Sequence, residues 1–459
     1  MQVSDKPNTN SLSLDSAVIS PSFDNKNPPN PELIDACVHC GFCLSTCPSY
    51  RILGKETDSP RGRIYLMDGI NEGDIPLSPA IAQHFDTCLG CLACVTTCPS
   101  GVQYEQLIES TRAQVQRNHP RSLPEQLLRQ FIFSTFPYPQ RLRVLLAPLF
   151  AYQKLGLQKL LRSAIRSNDW LEKFLPKQLA AMESFLPKLT PLSFQDTLPE
   201  IIPANGTKRY RVGMLLGCVQ RVFLPEVNNA TVRVLTANGC EVVVPKLQGC
   251  CGALSHHQGQ EAQTLELARQ TIDVFSNLNL DAVLINASGC GHTLKEYGHI
   301  LKDDPNYAKR AKEFSLKVKD VQEFLDNVGL TATLSPLQDQ PLAIAYQDAC
   351  HMLHGQKISL EPRRLLRQIP NVILKESVDA ALCCGSAGIY NILQPEVGHE
   401  LGEMKVTNLT DTGAQVIASA NVGCITQIRK HLDLQNKKTL LMHPMELLDY
   451  SIRGQKIAK

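Results

Sequence analysis

The chain has 459 residues, of which 43% are hydrophobic and 20% charged, which is enough for several globular domains with buried cores. Its 46 basic and 44 acidic residues leave a net charge of +2, which argues against a nucleic-acid-binding protein because such a protein carries a dominant basic field. The 17 cysteines are too sparse for a small disulfide scaffold, and their odd number excludes complete intramolecular pairing.

Residues 1–30 are rich in Asn, Ser, Pro and Asp, and we expect them to form a disordered tail. They lack the basic start and apolar run of a secretory signal peptide. The longest apolar run, Val144–Tyr152, has nine residues, whereas a membrane-spanning helix needs about 20. The sequence therefore predicts a cytoplasmic protein, whose thiols stay reduced and available for metals.

Two blocks of four cysteines lie in the first hundred residues, and both read C-x-x-C-x-x-C-x-x-x-C-P. The blocks are Cys37, Cys40, Cys43 and Cys47, and Cys88, Cys91, Cys94 and Cys98. Each member of the second block follows its counterpart by 51 residues, which indicates an internal duplication. The pattern is typical of bacterial two-cluster ferredoxins, in which the fourth cysteine of each run binds the other cluster.

This spacing predicts two [4Fe–4S] clusters. The predicted ligands are Cys37, Cys40, Cys43 and Cys98 for cluster 1, and Cys88, Cys91, Cys94 and Cys47 for cluster 2. Structural zinc is the alternative, but zinc ribbons use two separated C-x-x-C pairs that close one tetrahedron. Residues 59–70 have helical character, which favours an α-helical ferredoxin domain. His39 lies between ligands and is interpreted as a loop residue near a cluster.

Eight further cysteines form a second duplication around two Cys-Cys-Gly motifs. The first copy has Cys218, Cys250, Cys251 and Cys290, and the second has Cys350, Cys383, Cys384 and Cys424. The offsets of 132 to 134 residues correspond to a repeat of domain size. Buried structural cysteines would explain single cases such as Cys240, which has no counterpart. The matched motifs favour a metal or redox site, since thiolates bind iron–sulfur clusters well.

Short apolar runs alternate with helical stretches in both copies, which predicts two α/β domains with parallel sheets. The predicted strands cover 211–218, 241–245 and 281–290 in the first copy, and 342–350, 371–375 and 414–424 in the second. A helix is predicted over 261–275. Because several strands run into cysteines, we expect thiols at the carboxyl ends of strands, where open α/β sheets bind ligands.

The predicted fold class is α + α/β, with an N-terminal α-helical two-cluster ferredoxin domain, a helical linker and two duplicated α/β domains. The predicted domains are a disordered tail at 1–30, a two-[4Fe–4S] ferredoxin domain at 31–115, a basic helical linker at 116–205, and Cys-Cys-Gly α/β domains at 206–335 and 336–459.

The linker is basic and amphipathic. Residues 121–190 hold eleven Lys or Arg against four acids, a net charge of +7, and leucines recur at helical spacing in 157–175 around Trp170. A basic amphipathic helix lies on an anionic membrane surface or binds a partner. A helical bundle that packs against the α/β domains is the other interpretation.

These motifs together resemble one family, the iron–sulfur subunits of flavin-linked dehydrogenases and the related heterodisulfide-reductase subunits. The supporting stretches are CVHCGFCLSTCPSYRILGKETDSPRGRIYLM, HFDTCLGCLACVTTCPSGVQY, LQGCCGALSHHQG, NASGCGHTLKEYG, ALCCGSAGIYN and MHPMELLDYS. The similarity covers roughly residues 30–455 and is greatest to the iron–sulfur subunits of glycolate oxidase, also called glycolate dehydrogenase.

The resemblance implies an electron-transfer subunit of an oxidoreductase. FAD-binding partner subunits would convert glycolate to glyoxylate, and this chain would pass electrons to a quinone or another acceptor. We expect no flavin and no catalytic residue on this chain, whose sequence has no Gly-x-Gly-x-x-Gly fingerprint. The same role in a D-lactate or glycerol-3-phosphate dehydrogenase is an alternative, as is disulfide reduction at the Cys-Cys-Gly sites in the manner of heterodisulfide reductase.

The chain departs from the family pattern at one place in each copy. The family repeat often ends in C-x-x-C, but Ala287 and Asn421 stand at the first of those positions. This departure counts against a heterodisulfide-reductase type of cluster, so the copies bind another cluster or serve as docking domains. Histidines lie near the motifs and either tune a cluster by hydrogen bonding or occupy surface and helix-cap positions. They are His256, His257, His351 and His354.

Overall fold

A computed structural model describes residues 22–158, 183 and 185–457. The N-terminal region is helical, as predicted. Its helices are Pro31–Asp35, Pro48–Leu53, Pro60–Glu72, Pro79–Asp86, Ala93–Thr97 and Tyr104–Asn118, with a 3₁₀ turn at Glu56–Asp58. The helix predicted over 59–70 is confirmed, because the Ser59 hydroxyl caps its start by accepting from the Gly62 amide. Met67, Phe85 and Leu107 are fully buried in the core of this region.

Residues 22–30, which fall in the predicted tail, contact the ferredoxin region. The Asp24 amide donates to Gln114 at 2.8 Å, and the Asp24 carboxylate accepts from Arg117 at 2.9 Å. The packed structure therefore starts before residue 31. Residues 1–21 of the predicted tail lie outside the described residues.

The linker contributes the helices Leu123–Thr135 and Pro139–Lys154 and a 3₁₀ turn at Pro191–Phe194. Ile132 packs against Ile389 of the second α/β domain, and Leu142 packs against Val222 of the first. The described part of the linker thus joins both domains. Most of the amphipathic segment 157–175, including Trp170, lies outside the described residues. None of the helices in the described ranges is long and apolar enough to cross a membrane.

Two sheets form the α/β domains, and both have the same parallel strand order. The first sheet contains β1 (Ile201–Ile202), β2 (Tyr210–Met214), β3 (Cys240–Val243), β4 (Ala282–Ile285) and β5 (Val318–Asp320). The second contains β6 (Leu342–Gln347), β7 (Val372–Lys375), β8 (Val416–Ser419) and β9 (Leu440–Met442). The orders β3-β2-β4-β5 and β7-β6-β8-β9 correspond strand for strand, and β1 adds an antiparallel edge to the first sheet. The duplication read from cysteine spacing is therefore also a duplication of topology.

Helices connect these strands and cover the sheets. They are Gln220–Phe223, Pro225–Ala237, Ala253–His256, Glu261–Ser276, Ser288–Lys295, Tyr297–Ile300, Ala308–Lys317 and Val321–Val328 in the first domain, and Leu360–Arg367, Tyr390–Leu393, Pro395–Thr410, Val422–Leu434 and Pro444–Ile452 in the second, with a π-helical turn at His351–Gly355. One apolar core runs through both domains and includes Val212, Leu284, Ile344 and Val416. The two domains consequently form one packed body.

The six predicted strands are present, but they end before the cysteines. β2 stops at Met214, four residues short of Cys218. Cys290 and Cys424 lie in the first turns of helices that follow β4 and β8, rather than at the end of a strand. The thiols still gather at the carboxyl edge of each sheet, because those helices start there.

Asp320 is a buried acid at the end of β5. Its Oδ1 accepts from the Gln322 amide at 2.8 Å and caps the helix Val321–Val328, while its Oδ2 has no hydrogen-bond partner among the described residues. Burial, which disfavours the charged form, raises the pKa of this carboxyl to about 7.

We expect the substitution Asp320→Asn to change the pH dependence of stability. The folded protein keeps this proton up to about pH 7, whereas the unfolded chain loses it near about pH 4. Folded wild-type protein therefore binds more protons in this window, and its stability falls as the pH rises through it. The variant keeps the capping oxygen, so it should be more stable than wild type at pH 8 and similar at pH 4. Urea unfolding at both values measures this, and an equal effect at both would contradict it.

Candidate metal and redox centre

The two ferredoxin loops have the same backbone conformation. His39 and Gly41 in the first loop have φ of 51° and 86°, and the residues 51 positions later, Gly90 and Leu92, have φ of 62° and 63°. Loops with left-handed residues can point several backbone N–H groups into one hollow, and such a hollow can bind an anionic group. The backbone therefore repeats the duplication seen in the sequence, and His39 is an exposed loop residue.

The second block gathers around one small cavity. Cys88, Cys91 and Cys94 are buried there together with Cys47 of the first block. Burial, and then the neighbouring Cys91 and Cys88 thiols, hold the pKa of the Cys94 thiol well above its usual range. The crowded thiols of Cys91 and Cys94, whose pKa values are raised by burial and by neighbouring thiols, would be stabilised as thiolates by a bound cationic metal group. These residues therefore fit the predicted cluster 2.

The first block is more open to solvent. Cys37 and Cys43 pack against the ferredoxin core, and Cys98 packs against the same core from the second block. Burial and the nearby Cys37 raise the pKa of Cys43. Cys40 is exposed, and its loop also carries Val38 and Phe42, which are 67% and 63% exposed. The predicted ligands of cluster 1 thus lie at the protein surface, whereas those of cluster 2 lie inside.

Arg63 is a buried cation beside the second block. Its guanidinium donates to Ser49 Oγ at 3.0 Å, Thr87 Oγ1 at 3.1 Å and the His84 carbonyl at 2.6 Å, and it lies 3.7 Å from the Asp58 carboxylate. Burial alone would raise the pKa of Cys88, but the charges of Arg63 and Arg112 lower it. Neither arginine belongs to a motif, so sequence reasoning missed both.

The Cys-Cys-Gly cysteines form two quartets of interacting thiols. The first quartet is Cys218, Cys250, Cys251 and Cys290, and the second quartet is Cys350, Cys383, Cys384 and Cys424. The Cys218 and Cys250 sulfurs are 3.1 Å apart, and those of Cys384 and Cys424 are 3.2 Å apart. All eight are free thiols. Across the described residues, no three His, Cys, Asp or Glu side chains converge on the position of a single metal ion.

Each quartet is shaped by its motif glycine. Gly252 and Gly385 both have left-handed φ, at 80° and 83°. A Cβ on Gly385 would lie 2.7 Å from the Gly398 carbonyl oxygen, so the turn requires glycine. Both Cys-Cys-Gly motifs therefore turn the chain at a left-handed glycine directly after their two cysteines.

Asn421 has a structural role at the position where the family often has cysteine. Its side-chain oxygen accepts from the Gly423 and Cys424 amides and caps the helix Val422–Leu434. Its amide nitrogen donates to Ser288 Oγ of the other domain at 2.8 Å. The counterpart Ala287 is buried. Each quartet therefore has four thiols and no fifth ligand at these positions.

Both quartets face one central cavity of about 430 Å³ between the domains. Cys88 of the ferredoxin region also lines it. Cys91 lies near enough to Cys350 for their charges to interact, and His351 Nε2 is 2.8 Å from the Gly90 carbonyl oxygen. The second ferredoxin block and the second quartet are thus in direct contact.

The four histidines noted in the sequence lie where the ferredoxin region contacts the two α/β domains. His256 Nε2 is 2.9 Å from the Glu109 carboxylate, and His292 contacts Glu105. The His257 and His351 rings are 4.7 Å apart, and His354 Nδ1 pairs with Thr96 Oγ1 at 2.8 Å. Although burial would raise the pKa of Glu109, the His256 charge holds it well below its usual range. Glu105, Glu109 and His292 were missed because nothing local in the sequence pairs them.

Comparisons with known proteins match these regions in chain order. A 4Fe-4S dicluster domain matches residues 33–102, a cysteine-rich CCG domain matches 212–295 and 344–429, and the linker region of the glycolate oxidase iron–sulfur subunit matches 124–186. The probable glycolate oxidase iron–sulfur subunit of Bacillus subtilis is 38% identical over 90% of this chain and 92% of its own length. The Escherichia coli glycolate oxidase iron–sulfur subunit is 35% identical over 92% and 95%.

The chain belongs to the family of glycolate oxidase iron–sulfur subunits. The resemblance and the α + α/β fold class predicted from the sequence are thereby confirmed. A lactate utilization protein A from Halalkalibacterium halodurans is 29% identical over 53% of this chain and 98% of its own length. A solved structure of a hypothetical protein from Helicobacter pylori covers 61% of this chain and 57% of its own, with a TM-score of 0.42 and 11% identity, too low to support any conclusion.

The linker of this family forms one wall of the central cavity. Leu145 and Leu149, one turn apart on the helix Pro139–Lys154, line it together with Phe136 and Phe185. The cavity is therefore bounded by thiols of both domains on one side and by apolar linker side chains on another.

We expect Arg63→Met to destabilise the protein strongly, by about 3–5 kcal/mol, because it removes a buried cation 3.7 Å from the Asp58 carboxylate together with its hydrogen bonds to Ser49, Thr87 and His84. Asp58 keeps its contacts with His84 Nδ1 and Thr87 Oγ1. The matched control is Arg61→Met, two residues away, whose ion pair with Glu56 is partly exposed and should contribute about 1 kcal/mol or less. Urea unfolding measures both. Equal losses would show that the Arg63 charge is not held by a buried network.

Proposed function

We propose that the chain is the electron-transfer subunit of a flavin-linked complex that oxidises glycolate to glyoxylate. It would receive electrons from FAD-binding partner subunits and pass them to a quinone or another acceptor. Membership of the family of glycolate oxidase iron–sulfur subunits supports this role. We place the flavin on the partner subunits. The proposed location is the cytoplasm, with peripheral contact at the cytoplasmic face of the membrane.

The observation that carries the proposal is the position of Cys47. It lies in the first block but lines the same cavity as Cys88, Cys91 and Cys94 of the second. This position supports the exchange of fourth ligands that a two-cluster ferredoxin would have. We assign these four to cluster 2, and Cys37, Cys40, Cys43 and Cys98 to cluster 1. A bound [4Fe–4S] cluster takes up and releases single electrons.

The different surroundings of the two cysteine groups suggest the direction in which electrons would move. The exposed loop with Cys40, Val38 and Phe42 presents an apolar surface to a partner, which makes it the proposed docking point of the flavin subunit. Cys91, in the interior, lies near Cys350, which lines the central cavity together with Cys88. Arg63 and Arg112 place positive charge beside Cys88 and favour its thiolate as a ligand. The two quartets are proposed further metal or redox sites.

A second candidate substrate is lactate. The lactate utilization protein A relatives support it, and a glycerol-3-phosphate complex remains the other alternative within the same role. Disulfide reduction at the quartets is less well supported, because Asn421 is used as a helix cap and inter-domain contact. Activity of the co-purified complex with each substrate separates these functions.

We also propose peripheral membrane contact through the linker. Leu123, Leu127 and Phe131 are spaced by four residues on the helix Leu123–Thr135 and are 74%, 65% and 36% exposed. An exposed apolar stripe on a segment of net positive charge suits an anionic bilayer surface.

The cluster assignment is tested by Cys47→Ala in protein purified without oxygen. Wild type should contain about eight iron atoms and matching acid-labile sulfide from the two ferredoxin clusters, plus any iron held by the quartets. We expect the variant to lose about four iron atoms, together with part of the EPR signal of the reduced protein. The matched control is Cys240→Ala, a buried cysteine outside both duplications, which should keep all its iron.

Full iron content in the Cys47 variant would contradict the exchange of fourth ligands. Zinc without acid-labile sulfide in wild type would replace the electron-transfer role with that of a zinc-stabilised scaffold.

Membrane contact is tested by flotation with vesicles of phosphatidylcholine and phosphatidylglycerol. We expect wild type to float and Leu127→Glu to bind about tenfold less, because burial of one leucine contributes about 1.5–3 kcal/mol. The control Leu316→Glu alters a similarly exposed leucine on the helix Ala308–Lys317, 74% exposed against 65% for Leu127, and should float like wild type. Failure of wild type to float would remove membrane contact.

A further inference from the structure

A lysine is buried beside the second quartet. Lys405 lies on the buried face of the helix Pro395–Thr410, and its side chain is completely shielded from solvent. It is near enough to Cys384, Cys424 and Cys383 for its charge to interact with theirs. Lys405 belongs to neither Cys-Cys-Gly motif, so no sequence pattern marked it.

No carboxylate in the described part of the chain forms an ion pair with Lys405. Its Nζ donates to the Ala380 carbonyl oxygen at 2.6 Å. The charge of Asp348 acts on it, but both Asp348 carboxylate oxygens accept from Arg363 at 2.8 Å. Buried charges are normally paired, because taking an ion out of water is costly. Lys405 therefore needs an anionic neighbour, which the second quartet can supply.

The second quartet has the chemistry of such a neighbour. Hydrogen bonds with Cys383 and Cys424 hold the pKa of the Cys384 thiol well below its usual range, and the Lys405 charge acts in the same direction. Four thiolates that hold iron form a group of net negative charge, and charges around such a group change its reduction potential. The thiols and the buried ammonium together fit an anionic iron–sulfur group.

The first quartet has a neutral residue at the position that corresponds to Lys405. The motif glycine of each domain packs against a long helix, at Leu267 in the first domain and at Leu401 in the second. Four residues further along these helices stand Thr271 and Lys405, respectively. The Thr271 hydroxyl donates to the Cys250 carbonyl oxygen at 3.3 Å. The duplicated quartets therefore differ by one buried positive charge.

We propose that Lys405 is a positioning residue for an anionic redox group in the second quartet, whose reduced state its ammonium stabilises. The inference rests on the proposed function, in which the quartets are metal or redox sites. One electron from the reduced flavin partner, delivered through the proposed iron–sulfur carriers, adds one negative charge beside the ammonium. No proton moves and no covalent bond changes in this step.

The same charge makes the second quartet easier to reduce than the first. The second quartet is also the one that contacts the ferredoxin region, where Cys91 lies near Cys350. The group that Lys405 favours for reduction is thus the one that electrons from cluster 2 would reach.

A redox titration of the full-length, anaerobically purified protein, followed by EPR, tests the role of Lys405. The signal of the second quartet is identified as the one that Cys384→Ala removes. In Lys405→Met, the equilibrium constant for reduction of that signal should fall at least tenfold, which is about 59 mV for a one-electron couple. The ferredoxin signals should keep their potentials.

The matched control is Lys437→Met, which removes an exposed lysine of the same domain and should leave every potential unchanged. Lys405→Gln is a second neutral variant, which also serves if Lys405→Met does not fold. Its side-chain amide can still donate to the Ala380 carbonyl oxygen, so it removes the charge and keeps a donor. It should show the same shift as Lys405→Met.

The results separate the role of Lys405 from the proposed function. An unchanged potential in the Lys405 variants, a shift confined to Lys405→Met when both variants fold, or an equal shift in the Lys437 control overturns the inference. If Cys384→Ala loses neither signal nor iron, the inference is wrong and the electron-transfer role of the ferredoxin clusters stands. If the potential shifts as expected but glycolate and the partner reduce none of the iron, the inference stands and the proposed function fails.

Discussion

Two glutamates on one helix face hold the ferredoxin region against the α/β domains. Glu105 and Glu109 are one turn apart on the helix Tyr104–Asn118 and meet His292 and His256 of the first domain. Removing one partner of such a buried pair costs about 3–5 kcal/mol, so the regions cannot part without a large penalty. The contact of Cys91 with Cys350 lies at the same junction between the ferredoxin region and the α/β domains.

The molecule repeats itself at two scales, and both repeats are visible in the backbone. The ferredoxin loops share left-handed residues 51 positions apart, and the two sheets share their strand order. The copies nevertheless differ in surroundings. Asn421 caps its own helix and reaches Ser288 of the other domain, whereas its counterpart Ala287 is a small buried residue. The duplicated domains are thereby joined into an asymmetric pair around one cavity.

Local patterns allowed much of this structure to be predicted from the sequence. Apolar runs predicted the six strands β2, β3, β4, β6, β7 and β8, and cysteine spacing predicted the paired loops. The short edge strands β1, β5 and β9 were missed, because two or three residues carry too little pattern. The pairs of Glu109 with His256 and of Arg63 with Asp58 were also beyond reach, since residues distant in sequence meet only through tertiary packing. The cavity shared by both quartets could not be predicted either, because it forms only when the two domains pack together.

The ferredoxin cysteines differ in exposure, and this difference affects which of them is damaged first by oxidants or chelators. Cys40 is open to solvent, whereas Cys88, Cys91 and Cys94 are buried. Oxidants and chelators meet exposed thiolates first, so damage would begin at the ligands predicted for cluster 1, which include the exposed Cys40, while the buried ligands predicted for cluster 2 stay protected. Under the proposed function, a chain injured in this way would lose its contact with the flavin subunit before it loses the cluster in the interior.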